Sequence, residues 1–426
     1  MLRIDRRVSS SVPAVVLGLL FAMATTAAAQ ALPTASPASE GFAPDRLDRL
    51  HARMKQFVDE GKHAGILSLI ARNGHAVDVQ AWGLRDREQQ LPMERNTIVR
   101  IYSMTKMVTT VAVMQLVEQG RIAFDDPIGK YLPALASPKV FVGGTAAHPR
   151  LAAAARAVTI KDLLTHTSGY PYWFMYSKGP LDQIYKDAAL GDAKSLDDFV
   201  QRLSKLPLAH QPGARFSYGI GLDVLGAVVQ TVSGQKFEEY VADHICGPLK
   251  MVDTAFYVPA EKRSRLATVY TTKDGALTKV TDPLTMTSVD AGGVPFGGAG
   301  LFSTIDDYAR LGQALLNGGQ LDGARILGRK AVELMEANEL SHMAKVTNQF
   351  SESDGFGYGG AVRLELARGN RLGSVGQYGW TGAATTYFNI DPREHTMVLV
   401  FAQHFPHNEH HLFEAFSTLF YASLVD

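Results

Sequence analysis

The spacing of apolar positions divides the chain into recognisable elements. Residues 44 to 60 carry Leu47, Leu50, Met54 and Phe57 at three- and four-residue steps, the period of a helix with one buried face. Gly65 to Arg72 and Ala76 to Trp82 read as strands joined at Asn73-Gly74, a pair that tolerates positive φ and suits a tight hairpin. A helix is expected from Ser103 to about Glu118. From about Gly120 to Val280 the pattern is mainly helical, with an Ala-rich piece at 151 to 157 and helices near 159 to 165, 195 to 204, 219 to 233 and 236 to 245. After a glycine-rich run from Gly292-Gly293 to Gly300 comes a helix at 304 to 317. Strand-like segments follow at 361 to 367, 371 to 376, 383 to 390 and 395 to 403, and a last helix runs from about Leu412 to Leu424.

Strands at both ends with helices between them imply an α/β (α+β) architecture, one antiparallel sheet flanked by helices and built from the two termini. The sheet domain is expected at 42 to 120 and 281 to 426, with a mainly helical domain inserted at 121 to 280. Short links such as Gly369-Asn370 favour hairpins over parallel crossovers.

The first residues follow another pattern. Arg3, Arg6 and Arg7 precede an apolar run from Val12 to Ala29 that ends in Ala27-Ala28-Ala29, the layout of a secretory signal cleaved near Ala29. A Pro-, Ala- and Ser-rich linker at 30 to 41 would then begin the mature protein, periplasmic or secreted and without stable membrane insertion. The 42 basic and 42 acidic side chains among 426 residues leave no net field to attract nucleic acid. A single cysteine, Cys246, allows no internal disulfide and reads as a buried filler.

Candidate chemistry begins at Ser103-Met104-Thr105-Lys106. A serine hydroxyl attacks carbonyls only when a neighbour takes its proton, and three residues along a helix puts Lys106 on the face of Ser103. The spacing also fits an N-cap serine followed by a solvated lysine, so other segments must decide. No Gly-x-Ser-x-Gly elbow occurs. Downstream, Pro212-Gly213-Ala214-Arg215-Phe216-Ser217-Tyr218 puts a tyrosine just before an apolar helix, and Trp380-Thr381-Gly382-Ala383 opens an expected strand. The late His404, His407, His410 and His411 match no metal spacing and read as an exposed loop, so neither metal nor cofactor is expected.

Taken in order, Ser103-x-x-Lys106, Leu164-Thr165-His166-Thr167-Ser168-Gly169, Pro212-Gly213 to Tyr218 and Gly-Trp380-Thr381-Gly382 resemble the serine β-lactamase-related hydrolases. More closely they are similar to the family VIII carboxylesterases, which share the class C β-lactamase and D,D-peptidase fold. The resemblance covers roughly residues 42 to 424. It implies that Ser103 is the nucleophile and that Lys106, as the neutral amine or sharing a proton with Tyr218, accepts the serine proton. Tyr218 would then protonate the leaving group. It further implies an oxyanion hole from the amides of Ser103 and Ala383, a substrate edge at Trp380, Thr381 and Gly382, and His166 and Ser168 as turn organisers.

Two departures bear on substrate. Where the family's β-lactamases and transpeptidases carry Tyr-x-Asn, this chain has Tyr218-Gly219-Ile220, and where they carry Lys-Thr-Gly it has Trp380-Thr381-Gly382. Both remove polar groups that orient an amide side chain and an anionic carboxylate. Trp380, with Tyr170, Tyr172, Trp173, Phe174 and Tyr176, would suit an apolar cleft, although core packing accounts for part of this set. The expected partner is a small uncharged ester or amide. β-Lactamase, D-amino-acid peptidase or amidase action, acyl transfer to an alcohol, and a non-catalytic exported binding protein are the alternatives.

Overall fold

The computed structural model describes residues 2, 30–172, 179–281, 286–341, 351–369 and 371–425; the expected signal segment and Trp173, Phe174 and Tyr176 lie outside them. An eight-stranded sheet is ordered Asp354–Phe356, Ala361–Arg363, Tyr378–Gly382, Thr386–Asp391, Thr396–Phe401, Gly65–Arg72, His75–Asp86 and Leu91–Pro92. Every pairing in it is antiparallel, so hairpins and one long return join the two ends of the chain. Asn73 and Gly74 both take positive φ, 51° and 85°, and make the tight turn their residue types favour.

Alternation along the strands sends side chains to opposite faces. Ile66, Ile70, Val398 and Val400 pack beneath the helices Pro44–Asp59 and Leu412–Ser423, through Leu50, Met54, Phe416 and Phe420. Leu67, Leu69, Leu399 and Phe401 face the other way into the main core, which holds the helices Thr105–Glu118 and Ile305–Leu316. From Thr105 to Leu116 every residue of the first of these is buried, including the polar Thr105, Lys106, Thr109, Thr110 and Gln115, so that helix is enclosed on all sides. That helix is the central post of the molecule, and Ser103 precedes it.

The stretch between supplies the helices Ile160–Leu164, Pro180–Asp187, Leu196–Leu203, Gly221–Ser233 and Phe237–Val241. It also departs from expectation, because the Ala-rich piece is not helical. Pro149–Ala153 is a strand paired with Lys139–Gly144, so cross-strand pairing overrides alanine's helix propensity. The C-terminal strands are also displaced from their expected positions. Residues 371–376 form no strand among the described positions, and Trp380 lies inside the strand Tyr378–Gly382 rather than opening the next. Ala383 to Thr385 form the turn, with Thr385 at φ 59°, before Thr386–Asp391 pairs back. Among the described residues no helix is long and apolar enough to cross a membrane.

Candidate active site

Ser103 sits in a 3-10 turn, Tyr102–Met104, that feeds the helix Thr105–Glu118, so the expected helix begins with a tighter turn. Tyr102 has φ 42°, a conformation that side chains rarely adopt and that here sets the angle at which Ser103 leaves the strand Val99–Arg100. The fully buried Lys106 places Nζ 3.1 Å from Ser103 Oγ. The same nitrogen donates to Gly298 O at 2.6 Å and to Tyr172 OH at 2.8 Å. Its three hydrogen-bonding directions are thus filled by fixed groups of the protein.

The lysine therefore meets a different phenol from the one expected. Tyr218 presents its ring face to Lys106, 4.8 Å from Nζ to the centroid, while its hydroxyl accepts from Trp380 Nε1 at 3.2 Å. Burial, reinforced by Asp223 and Tyr218, pushes the Tyr172 hydroxyl well above the ordinary tyrosine range, which keeps it a neutral phenol. Tyr172 had only counted as one aromatic in a cluster, and its contact with Lys106 depends on a fold that sequence spacing does not show.

Two further groups were not singled out in the sequence. Asp223 is fully buried on the helix Gly221–Ser233, and its Oδ1 accepts from Gly298 N at 2.8 Å. Burial pushes its carboxyl up to about 6, with Lys106 opposing the rise. An acidic residue inside the apolar run Ile220 to Val229 was the available signal. Gly298 itself must lack a side chain, since a Cβ there would lie 2.6 Å from Asp223 Oδ2 and 2.7 Å from Tyr172 OH. The glycine-rich run is thus the backbone wall against which lysine, tyrosine and aspartate close.

His166 takes the organising part expected of it. Its Nδ1 accepts from Gly219 N at 3.2 Å, its carbonyl accepts from Ser217 N at 2.7 Å, and its ring lies 4.5 Å from that of Tyr218. Burial, then Lys106, holds the imidazole well below its usual range, so it stays neutral and steadies the tyrosine segment. Ser168 Oγ accepts from Tyr170 N at 3.3 Å within the same turn.

A cleft of about 290 Å³ opens over Ser103, walled by Tyr172, Tyr218, Met286, Trp380, Thr381 and Ala383, with Tyr102, Ala299 and His407 completing its lining. Ala383 N has no backbone acceptor among the described residues and flanks the same space as Ser103, the arrangement a pair of oxyanion donors needs. A Cβ at Gly382 would collide with Ile101 O and Thr386 Oγ1, so glycine lets the sheet edge close on the serine-bearing segment. Ile220 is sealed in the core and does not line the cleft. Trp380 and Thr381 also border a second cavity of about 350 Å³, behind the strand, lined with Asp354, Arg363, Arg371 and Asn389. Ser103 does not reach it.

The late histidines are not simply an exposed loop. His404 is buried and its ring lies 5.0 Å from that of His63 and 5.3 Å from that of His410, whereas His407 and His411 are exposed. Cys246 is buried, and desolvation pushes its thiol far up, leaving it inert.

Comparisons with known proteins identify the family and the fold. A family model described as Beta-lactamase matches residues 50–422. Protein Rv1367c of Mycobacterium tuberculosis is 36% identical over 374 residues, covering 84% of this chain and 90% of that protein. Esterase EstB of Burkholderia gladioli is 33% identical over 288 residues, 63% of this chain and 69% of that protein. The solved structure of EstCE1, titled a hydrolase with promiscuous acyltransferase activity, superposes with a TM-score of 0.76 at 26% identity, covering 88% of this chain and 98% of that one. The chain belongs to the β-lactamase family and is a serine hydrolase of that family.

Proposed function

We propose that the protein is a carboxylesterase acting on small uncharged esters through an acyl-enzyme on Ser103. The observation that carries this is the approach of the buried Lys106 Nζ to Ser103 Oγ, 3.1 Å, at the floor of a cleft walled by aromatic and aliphatic side chains. Ser103 Oγ attacks the carbonyl carbon as its proton passes to the neutral Lys106 amine. The oxyanion faces the amides of Ser103 and Ala383. Tyr218, which borders both the cleft and the lysine, hands a proton to the departing alkoxide, and Tyr172 holds the amine in place. Water then attacks the acyl carbon, and the same groups run in reverse to release the acid and restore Ser103.

The missing ammonium at Trp380 and the missing amide at Ile220 argue against anionic β-lactam or D-peptide substrates, and the likeness to Esterase EstB supports the ester reading. Acyl transfer to an alcohol is the second reading, supported by the likeness to EstCE1 and by the exclusion of water that an apolar cleft favours. The Arg3 to Ala29 pattern supports export, which N-terminal sequencing of the purified mature protein tests.

The decisive measurement compares a short-chain p-nitrophenyl ester with a chromogenic cephalosporin. Faster turnover of the ester is expected, with kcat/KM falling by about 10⁴-fold in Ser103→Ala and fluorophosphonate adding mass only to the intact serine. Faster cephalosporin turnover would overturn the ester assignment. Unchanged ester turnover in Ser103→Ala would overturn the acyl-enzyme itself.

A further inference from the structure

At the shared end of the sheet strands Gly65–Arg72 and Thr396–Phe401, His63, His404, Glu409 and His410 converge. His63 follows the helix Pro44–Asp59, His404 lies in the short strand His404–Phe405, and Glu409 and His410 precede the helix Leu412–Ser423. The three imidazole rings are nearly equidistant, with centroids 5.0, 5.3 and 5.4 Å apart. Three imidazoles on one tetrahedral ion, each with a metal–nitrogen bond of about 2.0 Å, would hold their centroids about 5 Å apart.

The donor atoms tell the same story. His404 Nε2 lies 2.9 Å from Glu409 Oε2, and His410 Nε2 lies 3.7 Å from the same oxygen. One ligand atom from each of His404, Glu409 and His410 falls within 4.8 Å of the others. Tetrahedral ligands at about 2.0 Å from an ion are about 3.3 Å apart, so both histidines stand near that spacing from Glu409 and an ion would draw the three groups together. His63, 1% exposed, has no hydrogen-bond partner on either ring nitrogen, and His404 Nδ1 and His410 Nε2 also lack one. Packing for its own sake would not bury an imidazole with two unmet polar atoms, since each pays an uncompensated desolvation cost.

We infer that this cluster is a zinc site, with His404, Glu409 and His410 as ligands and the buried His63, whose ring must shift to bring a nitrogen within reach, completing the shell. Imidazole nitrogens and one carboxylate without thiolate suit Zn²⁺, and four protein donors leave no open position, the mark of a structural rather than a catalytic ion. The ion's place in the fold gives it a consequence for the active site. His404 N donates to Ala384 O at 3.0 Å, Thr385 Oγ1 donates to His404 O at 2.9 Å, and Asn408 N donates to Thr385 Oγ1 at 3.0 Å. The metal would therefore clamp the segment 404–410 against the turn that carries Ala383, and would fix His407 at the mouth of the cleft. This inference does not depend on which ester is cleaved.

The test uses the tag-free protein, stripped with a chelator and titrated with Co²⁺ and then Zn²⁺. One equivalent of Co²⁺ should give the visible bands of four-coordinate cobalt, bleached by one equivalent of Zn²⁺, and Zn²⁺ should raise the melting temperature. Glu409→Gln and His410→Asn, both in a partly exposed segment that tolerates change, should each weaken binding at least about tenfold, while His411→Ala should leave it intact. Substoichiometric binding, or equal affinity in Glu409→Gln, His410→Asn and the unaltered protein, would overturn the site.

Discussion

Two polar clusters lie on either side of the turn Ala383 to Thr385, and they are finished in opposite ways. At the active site the protein supplies every partner of the Lys106 nitrogen: a serine, a tyrosine and a carbonyl fixed by glycine geometry. In the histidine cluster, four ring nitrogens shared among His63, His404 and His410 have no hydrogen-bond partner, His410 Nε2 lying 3.7 Å from Glu409 Oε2. A proton-handling site gains from being complete before substrate arrives, because its groups then need no reorganisation as charge moves. A metal site is left incomplete by its protein, because the ion supplies the missing bonds.

The largest expected effect breaks the first cluster. Lys106→Met keeps most of the side chain's volume and removes the amine, and kcat/KM on the ester should fall about 10³-fold with the fold retained. Retention of more than a tenth of the activity would show that the amine does not take the serine proton.

A smaller effect separates the tyrosines. Tyr218→Phe should lower kcat about 10²-fold with KM little changed, since it removes a proton donor used in the transition state. Tyr172→Phe should cost only about tenfold, because Ser103 and Gly298 still hold the lysine. The reverse ranking, read from steady-state kinetics, would move the relay to Tyr172 and leave Tyr218 as a wall of the cleft.

How much of this was legible in the sequence follows from how local each feature is. Asn73-Gly74, the Leu47 to Phe57 periodicity and the Ser103 to Lys106 spacing act within a few residues, and their elements stand where the pattern puts them. The strand at Pro149–Ala153 was missed because its conformation is decided by pairing with Lys139–Gly144, not by alanine's own preference. Trp380 and Ala383 were found as a motif, but the strand boundary fell elsewhere because Thr385 turns the chain. The meeting of Tyr172 with Lys106, of Asp223 with Gly298 and of His63 with His404 spans separations of 66, 75 and hundreds of residues, and no single-sequence spacing encodes it.

The smallest predicted effect concerns what completeness costs. Asp223 is buried beside Lys106 and Tyr172 with one oxygen, Oδ2, unpartnered, and its carboxyl is pushed up to about 6. A carboxyl raised above its unfolded value of 3.8 binds its proton more tightly in the fold. It therefore costs nothing below the unfolded value, and its penalty grows as pH rises through the folded one. Between pH 4 and pH 7 that penalty amounts to about 2–3 kcal/mol of folding stability. Asp223→Asn keeps an oxygen for the Gly298 amide but cannot ionise. Urea unfolding of both proteins at pH 4 and pH 7 should show the unaltered chain losing more stability than the variant over that interval, the other titrating groups cancelling in the difference. An equal loss in both would mean that the surrounding groups compensate the Asp223 carboxylate fully, and that its burial carries no net cost to the fold.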